Sequence, residues 1–406
     1  MDDINNQIDE LLTRSVDTVY PSREVFKKEL LSGKKLSIYA GIDATATQLH
    51  LGHTTNLFIL RRFHKLGHKI TFLVGDFTAQ IGDPSDKKAA RVTISKKDVE
   101  NNLKTFKDQA SKILDFTDTN NQILIRKNSE WLENLSFEKI IELTSSFTVQ
   151  QMIERDIFRR RIKENKPLYV HEFLYPVAQG YDSVALKTDV EVGGTEQTFN
   201  MLAGRTLVKK YLNKEKYVIT TTLLENPKTG EKLMNKSLGT GVDITEEPTK
   251  MFGKIMALAD ESMIQLFTDC TDISIDKINE YKQRLGSGEN PKNIKIELAE
   301  TIISIFHSEE LAQDAKDIYI KTFSKGGVPE NIKEIEIKNQ ETLTEVFVEK
   351  NIISSKSEAR RLAEAGGIKI IKGDEKAKIS VGELQSAPKS GVYQIGKKEF
   401  VKIKTP

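Results

Sequence analysis

The sequence predicts an α/β fold: a Rossmann-like, doubly wound parallel sheet, followed by an α-helical domain and a small C-terminal α+β domain. Three observations predict it. Strand–helix–strand order recurs up to about Thr220, apolar residues at helical spacing run from Glu247 to about Lys325, and a turn-forming Gly326-Gly327-Val328-Pro329 precedes a separate basic end.

Taken in order, residues 1–32 mix polar and apolar residues at helical spacing and read as helix. Leu36–Ile42 reads as a strand, and Asp43–Leu49 as its loop. From Gly52 to Leu66, apolar Leu57, Leu60 and Phe63 recur at helical spacing, and Gly67 ends the helix. Ile70–Val74 is a short buried strand, which completes a βαβ unit. A helix near 95–114 precedes the strand Ile123–Ile125, and a helix near 195–211 precedes the strand Tyr217–Thr220. Residues 135–183 form a mostly helical insertion, long enough to carry a substrate wall or a contact between subunits. The expected domains are therefore 1–246, with its insertion at about 135–183, then 247–328 and 342–406.

The net charge of +2 hides an asymmetry. Residues 342–406 hold 13 Lys+Arg against 8 Asp+Glu, a net of +5, which leaves −3 for the rest. A basic end on a mildly acidic body suits a polyanion, although a solvated lysine-rich surface has the same composition. The one cysteine, Cys270, allows no intrachain disulfide and no Cys-x-x-Cys zinc site. The start Met1-Asp2-Asp3-Ile4 is unlike a secretory signal, and no apolar run approaches about 18 residues, so a cytoplasmic protein without a membrane span is expected.

His50-Leu51-Gly52-His53 falls where the loop of the first strand enters the first helix. A helix start offers backbone N–H groups and partial positive charge to an anion, Gly52 removes a side chain where a ligand comes close, and the two histidines supply donors. The alternative is a pair of ordinary surface histidines. Lys232 and Lys236 bracket a second short stretch, Leu233-Met234-Asn235, which continues through Ser237 to Gly239 and Gly241. Such a lysine loop can close on a triphosphate, and by itself it equally reads as a basic turn. Tyr175, Gln179 and Asp182 stand at i, i+4 and i+7 on one helix face, with Pro176 placed in the first turn. Polar side chains within an apolar, low-charge run demand partners, and a ligand can supply them.

These residues carry a resemblance. His50–His53 resembles the HIGH signature of class I aminoacyl-tRNA synthetases, and Met234-Asn235-Lys236-Ser237 resembles most of their KMSKS signature. The two in this order are far more specific than either alone. The resemblance covers nearly the whole chain and is greatest to bacterial tyrosyl-tRNA synthetases. It implies that Tyr175, Gln179 and Asp83, the last in Ile81-Gly82-Asp83-Pro84-Ser85, hold the ammonium group of tyrosine. It also implies that Asp182 accepts from the phenol hydroxyl with help from Tyr39. Gly194 and Glu196 then face the adenosine ribose, and Gln197 lies near the reacting carboxylate. Gly41, Asp43 and Thr45, with Gly52, Met234 and Ser237, belong to the ATP end of the cleft, while Lys87 and Arg91 help pyrophosphate leave. The implied substrates are tyrosine, ATP with its Mg2+ and tRNA(Tyr), with no protein metal site, and the implied assembly is a homodimer. The C-terminal end resembles an S4-type RNA-binding domain. There Ser355–Glu358 makes a capping box, and Lys356, Arg360 and Arg361 share the face of a helix that ends at Gly366-Gly367.

Four positions depart from the family pattern. Leu233 replaces the first lysine of KMSKS, with Lys232 just before it, Asn235 replaces a serine, Glu196 a more usual aspartate, and Ala44 a common proline. Three other readings compete with an active tyrosyl enzyme: a degenerate RNA-binding paralogue, an HxGH nucleotidyltransferase acting on a small molecule, and a tryptophan-specific relative. Tyr175, Gln179, Asp182 and Asp83 argue against the first, the length, the second signature and the basic end against the second, and Asp182 with Tyr39 against the third.

Overall fold

The structure, a computed structural model, describes residues 2–83, 95–234, 240–324, 332–337, 341–350, 352–372, 375–396 and 399–405. It divides into two compact units, Met1–Gln313 and Asp314–Pro406.

The first unit is built on six strands, β1 (Val16–Tyr20), β2 (Ser37–Asp43), β3 (Lys69–Gly75), β4 (Leu124–Lys127), β5 (Val190–Gly194) and β6 (Tyr217–Thr221), in the order β1-β6-β5-β2-β3-β4. All neighbouring pairs are parallel except β1 with β6. The sheet is therefore mixed, which corrects the expectation of a parallel one. The reading of residues 1–32 as helix fails at the same place. Helix Asp2–Thr13 stops, Ser15 takes a φ of 62°, and β1 intervenes before helix Arg23–Leu31 starts at its Ser22 cap. β1 buries Val16 and Val19, three apart across a register shift between Val16 and Thr18, so no period of two stands out against the flanking helical pattern.

The sequence reads Val192-Gly193-Gly194-Thr195-Glu196-Gln197 as a glycine turn into a helix, and the first three of these residues end β5. It is a central strand, buried at every position, and a side chain at Gly193 would press on Met201 Sδ, 3.0 Å from the Cβ position. β2 and β5 lie side by side, while their sequence neighbours β3 and β6 lie on opposite sides. The crevice beyond the carboxyl ends of strands at such a reversal is where open α/β sheets bind ligands.

The insertion comprises helices Phe137–Thr144, Val149–Ile153, Asp156–Lys163 and Val170–Ala185. The last packs along Thr198–Leu212, with Leu143, Met152, Val177 and Leu207 in a shared core. Pro176 lies inside Val170–Ala185 rather than in its first turn. From residue 247 to 324 the described chain is mainly helical, with Pro248–Ala257, Met263–Cys270, Ile275–Gly286, Pro291–Phe306 and Glu309–Tyr319. Arg14 fastens this part to the sheet. Its guanidinium donates to the carbonyls of Thr268, Thr271 and Ile273.

The second unit holds β7 (Lys333–Glu336), β8 (Ile368–Lys372), β9 (Glu375–Lys378), β10 (Gly391–Ile395) and β11 (Glu399–Lys404), in the order β7-β11-β10-β8-β9. Helices Leu343–Glu349 and Lys356–Glu364 pack on a core that includes Phe347, Ile368, Tyr393 and Val401. β7 lies ahead of residue 342, and the Gly326–Pro329 turn falls outside the described residues. Among the described residues no helix is long and apolar enough to cross a membrane.

Candidate active site

His50 is the N-cap of helix Leu51–Lys65, in extended conformation. Its Nδ1 accepts from Gly52 N (3.1 Å), and His53 Nδ1 accepts from His50 N (3.0 Å). The rings stack with centroids 3.8 Å apart. Leu51 N donates to Val242 O and His53 N to His50 O. The expectation that backbone N–H groups of this turn receive the anion is thereby corrected, because the first three are engaged within the protein. Both Nδ1 atoms accept, so in a neutral ring Nε2 carries the proton. The donors of the two rings are then their Nε2–H groups.

The second signature enters on a hairpin. Leu233 N donates to Leu224 O (2.8 Å), Glu225 bridges Lys232, and the turn is closed by Gly230 N to Asn226 O (2.8 Å) with Gly230 at φ 67°. Met234 reaches the first signature, its Cγ lying 3.5 Å from where a Gly52 Cβ would stand. On the far side of residues 235–239, Asp243 bridges His50 and Ile244 N donates to Leu49 O. Leu233, in place of a lysine, is buried, whereas Lys232 is exposed. Successive residues of an extended strand point to opposite sides, so the hairpin that buries the leucine turns Lys232 outward. Asn235, Lys236 and Ser237, like Lys87 and Arg91, lie outside the described residues.

At the carboxyl end of β2, Asp43 accepts from Thr78 Oγ1 (2.6 Å) and from Tyr175 OH (2.7 Å). Its carboxylate lies over Gly75, where a Cβ would stand 2.0 Å from Oδ1. Burial pushes the Asp43 carboxyl up to about 7, the Thr78 and Tyr175 donors pull it back, and Asp83 and Asp76 add to the rise. Asn128 Nδ2 continues the chain to Thr78 Oγ1 (2.9 Å) and Asp182 Oδ2 (3.3 Å), and Trp131 Nε1 donates to Asp182 Oδ1 (2.7 Å). Burial raises Asp182 well above the usual carboxylate range against these two donors. Beside it, Tyr39 OH lies 2.8 Å from Ser183 Oγ. Gln179 Nε2 donates to Glu191 Oε1 (3.0 Å), and Gln179 Oε1 is buried with no hydrogen-bond partner.

Asp83 accepts from Gln197 Nε2 (2.6 Å) and lies 3.6 Å from Arg155. Glu196 is exposed as a residue, yet its carboxylate folds back over Gly194, 2.4 Å from the position of a Cβ there. The protein around that carboxyl raises it from its ordinary range, and Lys232 pulls it down. Thr45 N donates to Asp43 O (2.8 Å), and Gly41 meets only Leu73 Cδ2, 3.8 Å from its Cβ position. Tyr39, Asp43, Tyr175, Gln179 and Asp182 thus join in linked networks, and Asp83 joins Gln197. In the second unit, Lys356, Arg360 and Arg361 are all exposed, with Lys356 Nζ 3.4 Å from Glu345 and Arg360 Nε 3.0 Å from Glu364. Ser355 caps the helix, but the Glu358 carboxylate accepts from Ser354 N (3.1 Å) rather than closing the box on Ser355.

Sequence reasoning missed Thr78, Asn128, Trp131, Ser183, Glu191 and Lys216. Two signals were available: Trp131 is the one tryptophan, and Glu191 is a charge inside the apolar run Val190-Glu191-Val192.

The family model for class I tRNA synthetases (W and Y) matches residues 31–324. The chain is similar to the tyrosine–tRNA ligase of Haemophilus influenzae, 41% identical over 405 residues that span 100% of this chain and 98% of that one. It is also similar to tyrosine–tRNA ligase 2 of Pseudoalteromonas translucida, 42% identical over 396 residues, 97% of each chain. In fold it is similar to a C-terminally truncated mitochondrial tyrosyl-tRNA synthetase of Aspergillus nidulans, with a TM-score of 0.66 at 19% identity, over 79% of this chain and 94% of that one. A family match across most of the chain and likeness to these ligases over nearly its whole length place it: the chain belongs to the class I aminoacyl-tRNA synthetases of the bacterial tyrosyl type.

Proposed function

We infer that this chain is a tyrosine–tRNA ligase: it activates tyrosine with ATP to tyrosyl-adenylate and pyrophosphate, then transfers the tyrosyl group to the 3′ end of tRNA(Tyr). The observation that carries the pocket assignment is Gln179, whose buried Oε1 lacks a partner. A buried acceptor without a donor is costly unless a ligand supplies one, and the ammonium group of tyrosine is such a donor. Asp83 and Tyr175 complete that end, and Asp182 with Tyr39 takes the phenol.

In this reading the tyrosine carboxylate attacks the α-phosphate of ATP, pyrophosphate leaves, and the terminal ribose hydroxyl of the tRNA then displaces AMP. His50 and His53 donate through Nε2–H to the phosphates, while Lys232, Lys236, Lys87 and Arg91 stabilise departing pyrophosphate. Gly41, Asp43, Thr45, Gly52, Gly194, Glu196, Met234 and Ser237 shape the ATP end. Positioning and charge stabilisation do the catalysis. Mg2+ enters with ATP.

Residues 1–246 with their insertion form the catalytic part, 247–328 the anticodon-side helical part, and 342–406 an S4-like domain that contacts tRNA through Lys356, Arg360 and Arg361. A cytoplasmic homodimer completes the proposal. Its support is the insertion's exposed apolar set Phe137, Ile141, Val149, Tyr169 and Val170.

The test is ATP–pyrophosphate exchange with tyrosine, phenylalanine and tryptophan, followed by transfer to tRNA. Exchange is expected with tyrosine alone. Lys232→Ala and Lys236→Ala are each expected to slow it by about 10-fold or more, and Arg361→Glu to weaken transfer without altering exchange. Tryptophan-dependent exchange, or unchanged rates in both lysine variants, would sink the corresponding part.

A further inference from the structure

We propose that the buried Glu191–Lys216 ion pair is a positioning device for amino-acid selection, fixing the hydrogen-bond direction of Gln179 and the place of the Tyr39 hydroxyl. It rests on the reading of those two residues as lining the tyrosine pocket.

Glu191 and Lys216 are 2% and 0% exposed and pair directly. Lys216 Nζ also donates to Met201 O (3.1 Å). A buried ion pair is weak evidence of a stabilising device, since apolar residues of similar volume often serve as well. What this pair does is visible in its further partners. A carboxylate only accepts. Gln179 therefore presents its amide nitrogen to Glu191 Oε1 (3.0 Å), and its own Oε1 turns the other way, where it is buried without a partner.

The same carboxylate orders a second arm. Ser183 Oγ donates to Glu191 Oε2 (3.3 Å). Ser183 Oγ also lies 2.8 Å from Tyr39 OH, so the carboxylate anchors the tyrosine hydroxyl through the serine. The Tyr39 hydroxyl is thereby held in one place, buried against the helix that carries Asp182. A ligand hydroxyl set between Asp182 and Tyr39 gives both a partner, and a bare phenyl ring gives neither one. Gly204 makes room for the assembly: a Cβ there would stand 2.5 Å from Lys216 Nζ and 2.8 Å from Ser183 Oγ.

The experiment uses the full chain carrying Glu191→Gln together with Lys216→Met. This removes both charges at once and leaves neither stranded. Glutamine donates as well as accepts, so direction is no longer imposed. In pyrophosphate exchange, KM for tyrosine is expected to rise about 10-fold, and the preference for tyrosine over phenylalanine to fall about 10-fold, with KM for ATP unchanged. Wild-type KM and preference in the folded double variant overturn the proposal, as does an equal rise in both KM values. Ser183→Ala keeps the ion pair and reads the Tyr39 arm alone, should the double variant not fold. A preference lowered about 3-fold supports that arm, and wild-type preference overturns it. Gln179→Ala is the control. If it leaves KM for tyrosine unchanged, the pocket reading fails. If it raises KM while the double variant does not, only the positioning proposal fails.

Discussion

Asp43 shows how one carboxyl can report on the whole cleft. Its folded form is pushed up to about 7 chiefly by burial, while in the unfolded chain a carboxyl of this kind titrates near pH 4, to within about a unit. Between these values the folded protein holds a proton that the unfolded chain has released. This group's contribution to stability is therefore fully present below about pH 4 and lost as pH rises through about 7, at no more than about 1.4 kcal/mol per pH unit. Asp43→Asn removes that dependence. The stability of the variant relative to wild type is expected to grow between pH 5 and 7.5, measured by urea unfolding at both. A constant difference would mean that Asp43 titrates as an ordinary carboxyl. In the sequence Asp43 is simply the residue after a strand. Its partners Thr78 and Tyr175 lie 35 and 132 positions away, and no local pattern encodes such distances.

At the scale of the element, the start of helix Leu51–Lys65 does two jobs with the same ring. His50 Nδ1 caps the helix through Gly52 N, and Nε2 is left as the protonated nitrogen. Substitution can separate the two. Asparagine is a strong N-cap but ends short of the Nε2 position, whereas alanine supplies neither group. His50→Asn is expected to melt within about 0.5 kcal/mol of wild type yet lose about 10-fold or more in kcat for pyrophosphate exchange. His50→Ala loses the activity and about 1 kcal/mol besides. Equal activity in wild type and His50→Asn would show that capping is the residue's whole contribution. The lysine hairpin makes a related point. Leu233 for lysine looks in the sequence like half of a phosphate grip removed. In the structure the position faces inward and holds a buried apolar side chain, and Lys232 beside it is exposed and acts on Glu196.

For the whole molecule, Arg14 explains why residues on either side of 246 share one compact unit, since its guanidinium gathers carbonyls from beyond the Met263–Cys270 helix. The insertion meanwhile leaves Phe137 77%, Val149 70% and Val170 80% exposed. A monomer gains nothing from so much apolar surface in one segment. Self-association through it should be sensitive to a single charge, because a buried unpaired carboxylate costs several kcal/mol. Val170→Asp is expected to shift a dimer to monomer at micromolar concentration in sedimentation velocity, without loss of helix signal. A dimer unaffected by Val170→Asp would place the contact elsewhere.

The sequence by itself determined the α/β class, the helical run after residue 246 and the two signatures, because each is written within a few consecutive residues or in one repeated period. It also singled out the polar face Tyr175, Gln179 and Asp182, which a helix of any origin would align. Only the tertiary structure decided that β1 runs antiparallel at the sheet edge and that Val190–Gly194 is a central strand. Both depend on which neighbour a strand finds. It likewise decided which way the polar groups point. Gln179 and Ser183 take their direction from Glu191, and Glu191 takes its charge partner from Lys216, 25 residues on. Hydrogen-bond direction is set by the last group in a chain that can only accept or only donate, and that group is found in space rather than along the sequence.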